Sequence, residues 1–214
     1  MNIIVIGPPG VGKGTYAEIL SRKYNIPKIS SGDLFHEAIR EETHLGKEIE
    51  DYVSKGELVP DAIVIELVKE RLEENDCREG FLLDGFPRTI TQAEAMEKFK
   101  VIDKILNFVA SDEEVLSRLS GRRTCKECGE IYHVKNRPPT VSGICDHCGG
   151  KLYQRTDETP DVIKNRLDVY REKTKPVIDY FRKESLLVDV DASYPYEEIG
   201  KVIAQCDEAL SEIR

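Results

Sequence analysis

Short apolar runs alternate along the chain with longer segments in which apolar residues recur every three or four positions. The first pattern predicts buried strands and the second predicts amphipathic helices. The predicted strands are 2–6, 26–29, 80–83, 104–109 and 186–190. The predicted helices are 13–24, 61–73, 91–99, 112–119, 160–181 with a candidate break at Pro176, and 196–213. Strands separated by helices indicate parallel pairing through right-handed crossovers. The pattern therefore predicts an α/β fold, a doubly wound five-stranded parallel sheet with helices on both faces.

Two stretches interrupt this alternation. Residues 30–59 contain no clear strand and are rich in charge, while 121–154 contain clustered cysteines, glycines and prolines. The second stretch has too few apolar residues to form a core unaided, which is typical of a small domain held by a metal. We expect a core made of 1–29, 60–120 and 159–214, with insertions at 30–59 and 121–158.

Composition excludes several classes of protein. The 214 residues are 40% hydrophobic and 33% charged with a net charge of −9, so we expect a folded chain with a core rather than disorder. A general binder of nucleic acid or anionic membrane is usually basic. No apolar run approaches the roughly 20 residues of a spanning helix, and the first residues do not resemble a signal peptide. We therefore expect a cytoplasmic protein that binds neither nucleic acid nor membrane.

Four of the six cysteines form two Cys-x-x-Cys pairs, Cys125/Cys128 and Cys145/Cys148. In a reducing compartment this spacing predicts a metal site rather than disulfides. Four thiolates fill the tetrahedral shell of Zn²⁺ and leave no open position, so a structural site is expected. Iron suits the same geometry. His147 lies inside the second pair, and we expect it to be a solvated loop residue.

The two remaining cysteines, Cys77 and Cys206, are expected to be ordinary buried thiols.

The segment Gly7–Thr15 follows the first strand and precedes the first helix. It reads Gly-Pro-Pro-Gly-Val-Gly-Lys-Gly-Thr. Glycines let backbone N–H groups surround a phosphate, and the helix adds its positive end. Lys13 is placed to reach the terminal phosphates. A glycine-rich turn with an exposed lysine is the alternative, but the strand–loop–helix context favours a phosphate loop. Because Gly14 follows Lys13, the hydroxyl that usually binds Mg²⁺ directly is displaced to Thr15, which argues against a GTPase-type metal site.

The predicted strand 80–83 leads into Asp84, and Arg88 follows four residues later. In a parallel sheet this carboxylate would emerge beside the phosphate loop and could orient Mg²⁺. Arginines recur where other loops should converge, at Arg118, Arg122, Arg123, Arg155 and Arg166. Phosphoryl transfer needs positioning and positive charge more than covalent help, so these residues suit it.

These motifs, in order, resemble one family. They are the loop ending Gly-Lys-Gly-Thr, Ser31-Gly32-Asp33, Asp84-Gly85-Phe86-Pro87-Arg88-Thr89 with Gln92, Gly121-Arg122-Arg123, Tyr132-His133 and the Arg155…Arg166 pair. The combination covers essentially the whole chain and resembles the long-lid, zinc-bearing adenylate kinases. The resemblance implies reversible phosphoryl transfer from MgATP to AMP, giving two ADP.

The resemblance also implies roles for the three segments and for individual residues. The segment 30–59 would be the AMP-binding domain and 121–158 the ATP lid, closing over substrates to exclude water. The implied catalytic residues are Lys13, Asp84, Arg88, Arg122, Arg155 and Arg166. The implied ATP-binding residues are Gly10, Val11, Gly12, Lys13, Gly14, Thr15, Arg118, Arg122, Ile131, Tyr132 and Tyr194. The implied AMP-binding residues are Ser31, His36, Glu57, Leu58, Val59, Gly85, Phe86, Pro87, Arg88, Gln92, Arg155 and Arg166. Asp33 and Asp84 would arrange water around Mg²⁺. The structural Zn²⁺ would be held by Cys125, Cys128, Cys145 and Cys148. Because the site forms within one chain, a monomer is expected.

Position 36 departs from the family, which usually has an arginine there that binds the AMP phosphate. Histidine is half neutral near its reference pKa of about 6.5 and lacks the guanidinium fork. Either nearby arginines compensate and His36 is a weaker phosphate contact, or acceptor affinity becomes pH-dependent or acceptor choice shifts.

Two alternatives to the expected activity stay open at this point. A zinc ribbon that binds nucleic acid would suit the seven basic and three acidic residues of 122–155, although a lid closing on a triphosphate suits them equally. A nucleoside monophosphate kinase with another base preference would keep the same fold and mechanism.

Overall fold

The computed structural model describes residues 1–183 and 185–213. Two sheets hold its strands. The strands are β1 (Asn2–Ile6), β2 (Lys28–Ser30), β3 (Phe81–Asp84), β4 (Lys104–Val109), β5 (Arg122–Cys125), β6 (Ile131–His133), β7 (Leu152–Tyr153) and β8 (Leu187–Asp191). The helices are α1 (Lys13–Tyr24), α2 (Ser31–Arg40), α3 (His44–Lys55), α4 (Asp61–Leu72), α5 (Ile90–Phe99), α6 (Asp112–Gly121), α7 (Pro160–Val169), α8 (Lys175–Arg182) and α9 (Ile199–Ser211).

The central sheet has five parallel strands in the order β2-β3-β1-β4-β8, which confirms the predicted fold class. Strand β1 shows why both faces need helices, because its side chains alternate between two cores. Ile3 and Val5 pack in one core with α1, α6 and α9, while Ile4 and Ile6 pack in the other with α4, α5 and α8.

The second strand is shifted from its predicted position, 26–29, to Lys28–Ser30. The end of α1 explains the shift: Asn25 adopts a left-handed conformation, and the amide of Ile26 still donates to the carbonyl of Ser21. The ladder with β3 starts at Lys28, which pairs with Leu82, whose amide donates to the Pro27 carbonyl.

The predicted helix over 160–181 is not broken at Pro176. A π-helical turn at Tyr170–Thr174 joins α7 to α8, so the helical path continues through Arg182. Pro176 falls in the first turn of α8. The Lys175 amide donates to the Tyr170 carbonyl five residues back, so the π-helical turn carries the helical path past the missing N–H of Pro176.

The two predicted insertions lie outside the central sheet, apart from Ser30 at the end of β2. Residues 30–59 form α2 and α3, whose N-termini are capped by the hydroxyls of Ser30 and Thr43. The strands within 121–158 form a three-stranded antiparallel sheet in the order β6-β5-β7. Its buried cluster is only Cys125, Tyr132 and Cys145, flanked by Leu152. So small a core supports the expectation of a metal-held domain.

Among the described residues, no helix is both long enough and apolar enough to cross a membrane.

Candidate active site

The phosphate loop lies between β1 and α1. Gly10 and Gly12 have positive φ values of 83° and 106°, which other residues rarely adopt. A Cβ on Gly10 would lie 2.4 Å from the side chain of Leu119, so the loop also needs glycine for space. Gly12 is the N-cap of α1 and offers no side chain to cap it. The helix end is thus arranged to receive an anion on backbone N–H groups.

Lys13 and Asp84 lie at the same edge of the sheet, because β1 and β3 are parallel neighbours and Val5 pairs with Asp84. The Lys13 ammonium donates to the carbonyls of Gly7 at 2.9 Å and Pro8 at 2.8 Å. Burial lowers the pKa of Lys13 to about 8, although Asp84 opposes the shift. Burial raises the pKa of Asp84, against the attraction of Lys13. The ammonium and carboxylate are therefore partly buried groups of opposite charge, each of which favours the charged form of the other beside the loop.

A cavity of about 540 Å³ runs from the phosphate loop to the α2–α3 insertion and the lid. All but two of the predicted nucleotide-binding and catalytic residues line it. They are Gly10, Gly12, Lys13, Gly14, Thr15, Ser31, His36, Glu57, Leu58, Val59, Asp84, Gly85, Pro87, Arg88, Gln92, Arg118, Arg122, Ile131, Tyr132, Arg155, Arg166 and Tyr194. Asp33 lines it as well.

Val11 and Phe86 are the two predicted residues that do not line the cavity. Their side chains are fully buried in the two hydrophobic cores. For an apolar side chain, burial in the core is more favourable in free energy than exposure to a polar cavity. Any contact of these two residues with nucleotide would therefore have to come from the backbone.

Arg118 joins the loop to the far end of the sheet. Its guanidinium donates to the carbonyls of Val11 at 2.8 Å, Ala192 at 2.8 Å and Tyr194 at 3.1 Å. These bonds hold its planar group at one end of the cavity. The flat face of a guanidinium suits stacking against an aromatic base.

Three arginines at and just beyond the ends of segment 121–158 are paired with two consecutive acids. Arg122 contacts Glu158, and Arg166 pairs with Asp157 at 2.8 Å. Arg155 pairs with Asp157 at 3.0 Å. Asp157 and Glu158 are almost fully buried. Burial alone would raise the pKa of Asp157, but Arg166 and Arg155 outweigh it and hold that pKa low. Burial lowers the pKa of Arg166 to about 10, with Asp157 opposing the shift.

Sequence reasoning missed Asp157 and Glu158. A signal existed, since Asp157 and Glu158 stand two and three residues after Arg155, just before the predicted helix 160–181. Without knowing that Arg122 and Arg166 return to the same place, however, a solvated helix end is the simpler interpretation of that pair. Arg137 was missed too, although it connects lid and core. Its guanidinium lies 5.3 Å from the ring centroid of Tyr132 and 5.8 Å from that of Tyr196.

The other end of the cavity is held by hydrogen bonds around Gly85. The Ser31 hydroxyl donates to the Gly85 carbonyl at 2.8 Å, and Arg88 Nε donates to it at 2.6 Å. Gln92 accepts from the Arg88 amide at 2.7 Å and donates to Asp61 at 2.7 Å. Burial lowers the pKa of Arg88, while Asp84 opposes the shift. The result is a small, rigid polar pocket beside a cationic group.

His36 projects from α2 into the cavity, where its Nε2 contacts the Arg155 guanidinium. Burial and Arg155 lower the pKa of His36 to about 4. The imidazole is therefore neutral near pH 7 and accepts a hydrogen bond from Arg155. This contact joins the α2–α3 insertion to the end of the lid.

The four lid cysteines converge. Their Sγ atoms all lie within 4.8 Å of one another, with 3.5 Å between Cys125 and Cys148 and 3.6 Å between Cys128 and Cys145. Four sulfurs at Zn–S distances of about 2.3 Å would be separated by about 3.8 Å, so the donor set fits Zn²⁺. A Cβ on Gly150 would lie 2.9 Å from the Cys125 sulfur, which leaves no room for a side chain there.

The exposure of His147 and of the two remaining cysteines also agrees with expectation. His147 is exposed, while Cys77 and Cys206 are buried.

Comparison with known proteins gives a consistent result. A family model described as adenylate kinase matches residues 5–186. The chain is 51% identical to an adenylate kinase of Caldicellulosiruptor bescii, over 98% of this chain and 99% of that protein. It is 50% identical to an adenylate kinase of Archaeoglobus fulgidus, over 95% and 96% of the two chains. It is 48% identical to one of Staphylococcus aureus strain Mu50, over 94% and 96%.

Proposed function

The chain belongs to the adenylate kinase family and transfers a phosphoryl group reversibly between ATP and AMP; from this premise we propose which residues form each half of its site. The observation that carries the proposal is a single cavity with the phosphate loop at one end and the Ser31–Gln92 pocket at the other. Arginines line the space between these ends. Transfer between two nucleotides requires two pockets that face each other across cationic groups.

The donor half is proposed to take ATP. The loop residues Gly10–Thr15 hold its phosphates on backbone N–H groups, and Lys13 balances the charge of the transferring group. Arg118, fixed by three carbonyls, lies against the adenine. Ile131, Tyr132 and Tyr194 complete the pocket at the lid and the loop after β8.

The acceptor half is proposed to take AMP. Ser31, Gln92 and the 57–59 loop surround its base and ribose, and Arg88 with His36 faces its phosphate. Arg122, Arg155 and Arg166 lie between the halves and stabilise charge on the phosphoryl group as it moves. In the structure these three arginines pair with Asp157 and Glu158 instead. Substrate phosphates therefore have to compete with two buried carboxylates for the same cations.

Segments 30–59 and 121–158 are proposed as the AMP-binding domain and the ATP lid. Both line the cavity, and the His36–Arg155 contact joins them directly. Closing both over the substrates would exclude water, which would otherwise accept the phosphoryl group.

Two metals are proposed. Mg²⁺ would enter with ATP and neutralise phosphate charge. The carboxylates of Asp84 and Asp33, which line the cavity, would hold it directly or through water, because Mg²⁺ prefers oxygen ligands. Zn²⁺ suits the four lid thiolates and would play a structural part, since four sulfurs leave no position for substrate. A monomer working in the cytoplasm stays a prediction.

Two matched variants test the division into halves. Arg118→Lys should raise the KM for ATP about tenfold and leave the KM for AMP nearly unchanged, because lysine has no flat group to stack on a base and carries its donors on one nitrogen instead of two. Gln92→Leu should do the reverse. Arg22→Lys, at an exposed position on α1, is the control. If both site variants changed the two KM values equally, the assignment of separate halves would be wrong.

Acceptor choice is tested by coupled ADP formation with MgATP and AMP, CMP, UMP, GMP or dTMP. AMP should be the preferred acceptor. Faster turnover with another nucleotide would keep the fold and mechanism but overturn the assignment of the acceptor pocket.

A further inference from the structure

The side-chain amide of Gln92 is held from both sides. Gln92 lies in the first turn of α5, is only 1% exposed and lines the acceptor end of the cavity. Its Oε1 accepts from the backbone N–H of Arg88 at 2.7 Å. Its Nε2 donates to Oδ1 of Asp61 at 2.7 Å.

Only one orientation of this amide satisfies both neighbours. A backbone N–H can only donate, and a carboxylate can only accept. Turning the amide over would set its oxygen against Asp61 and its NH₂ against the Arg88 amide, so two hydrogen bonds would be lost together. The assignment of Oε1 and Nε2 therefore follows from the chemistry of the partners.

Asp61 is itself fixed. The Thr89 hydroxyl lies 3.0 Å from each of its carboxylate oxygens, and Asp61 begins α4, where the helix end favours a negative charge. Asp61 does not line the cavity. Its route to a bound nucleotide is the hydrogen bond to Gln92, which does line the cavity.

After these contacts the Gln92 amide keeps one N–H donor and one acceptor lone pair. A 6-aminopurine presents an N1 acceptor beside a 6-amino donor, which matches an amide in this orientation. A 6-oxopurine presents an N1–H donor beside an oxygen acceptor, and it would require the amide to turn over. We propose that Asp61 is a specificity-determining positioning residue, which fixes the Gln92 amide so that the acceptor pocket accepts a 6-aminopurine and rejects a 6-oxopurine. This inference rests on the proposed placement of the acceptor base at Gln92.

The test compares two acceptors that differ only at this edge, AMP and inosine 5′-monophosphate. The ratio of their kcat/KM values is measured for the unaltered protein and for Asp61→Asn. The asparagine NH₂ can donate to a turned Gln92, so the preference for AMP should fall about tenfold or more, the range expected for losing a hydrogen bond to a charged group. Some preference should remain, because the Arg88 amide still opposes the turn.

Two further variants control the comparison. Asp161→Asn removes an exposed aspartate from the first turn of α7, so it repeats the change in charge at a helix start and should leave the ratio unchanged. Asp61→Ser provides a second variant, whose hydroxyl can both donate and accept, and it should lower the preference like Asp61→Asn. It keeps the inference testable if Asp61→Asn loses its thermal melting transition.

The outcomes distinguish a wrong role for Asp61 from a wrong assignment of the acceptor pocket. An unchanged ratio in a folded Asp61 variant would overturn the inference. An equal loss with both acceptors would also overturn it, since that result indicates a structural role alone. If Gln92→Leu left the KM for AMP unchanged, the proposed acceptor pocket itself would be wrong, whatever the Asp61 variants showed.

Discussion

The half-buried imidazole of His36 predicts a specific loss of stability in acid. Its pKa lies near 4, compared with 6.5 for an unperturbed histidine. Burial and Arg155 lower it most, Asp157 and Asp33 partly oppose them, and Arg166 lowers it further. These groups come from the lid end, from α2 itself and from α7. Their sum keeps the folded protein from taking up a proton that the unfolded chain binds readily.

The sign and size of the effect follow from proton linkage. Between pH 6.5 and 4 the unfolded state holds more protons at this position, so the free energy of unfolding falls as the pH falls. For pKa values of about 4 folded and 6.5 unfolded, His36 lowers that free energy by about 2 kcal/mol between pH 7.5 and 5.0. Glutamine has no proton to bind, and its amide can still accept from Arg155.

The assay is urea denaturation of the unaltered protein and His36→Gln at both pH values. Other titrating groups affect both proteins alike, so the difference between them should shift by about 2 kcal/mol in favour of glutamine at pH 5.0. His44→Gln, at an exposed position on α3, provides the baseline for the substitution itself. A difference that stays constant within about 0.5 kcal/mol would refute the reasoning.

The same pKa bears on catalysis. Because His36 is neutral from pH 6 to 8, its titration should not alter the KM for AMP in that range, and a step near pH 6.5 that His36→Gln abolishes would contradict this.

Three further predictions concern packing, charge and metal. Gly46→Ala places a Cβ 2.1 Å from the Ala38 carbonyl oxygen and should lower the free energy of unfolding by about 1–3 kcal/mol. The control Gly200→Ala has open space around the new Cβ and should not lower it, so equal urea midpoints for the two variants would contradict the prediction. Lys13→Met should lower kcat at least about 100-fold in the coupled assay, while Lys23→Met on the same helix should keep kcat, because only Lys13 reaches the phosphate loop. Chelating the lid metal, with its loss verified by elemental analysis, should lower the melting temperature, and unchanged melting would rule out a structural metal.

Several elements of the fold and of the candidate site are predictable from local sequence patterns. The phosphate loop is one continuous segment, and each cysteine pair lies within four residues. Their chemistry is set by glycines and cysteines at these short fixed spacings. Strand β1 and helix α1 were predicted at their observed bounds, because an apolar run and a helical period report burial directly. Element ends were less accurate where capping decided them, as at β2.

The acids at the proposed site that the sequence analysis did not single out share a different property. Asp61 meets Gln92 across 31 positions, and Glu158 meets Arg122 across 36. In the sequence each acid is one of many charged residues near a helix start, where a solvated position is the ordinary interpretation.

The sequence by itself therefore determined the fold class, the phosphate loop, the thiolate set and the family. Only the tertiary structure decided which polar groups are buried together: the fixed amide of Gln92, the acids Asp157 and Glu158 with their arginine partners and the neutral imidazole of His36. The reason is physical. Periodicity reports how much of a residue faces the core, whereas the pKa and orientation of a buried group depend on partners that chain folding brings from distant segments.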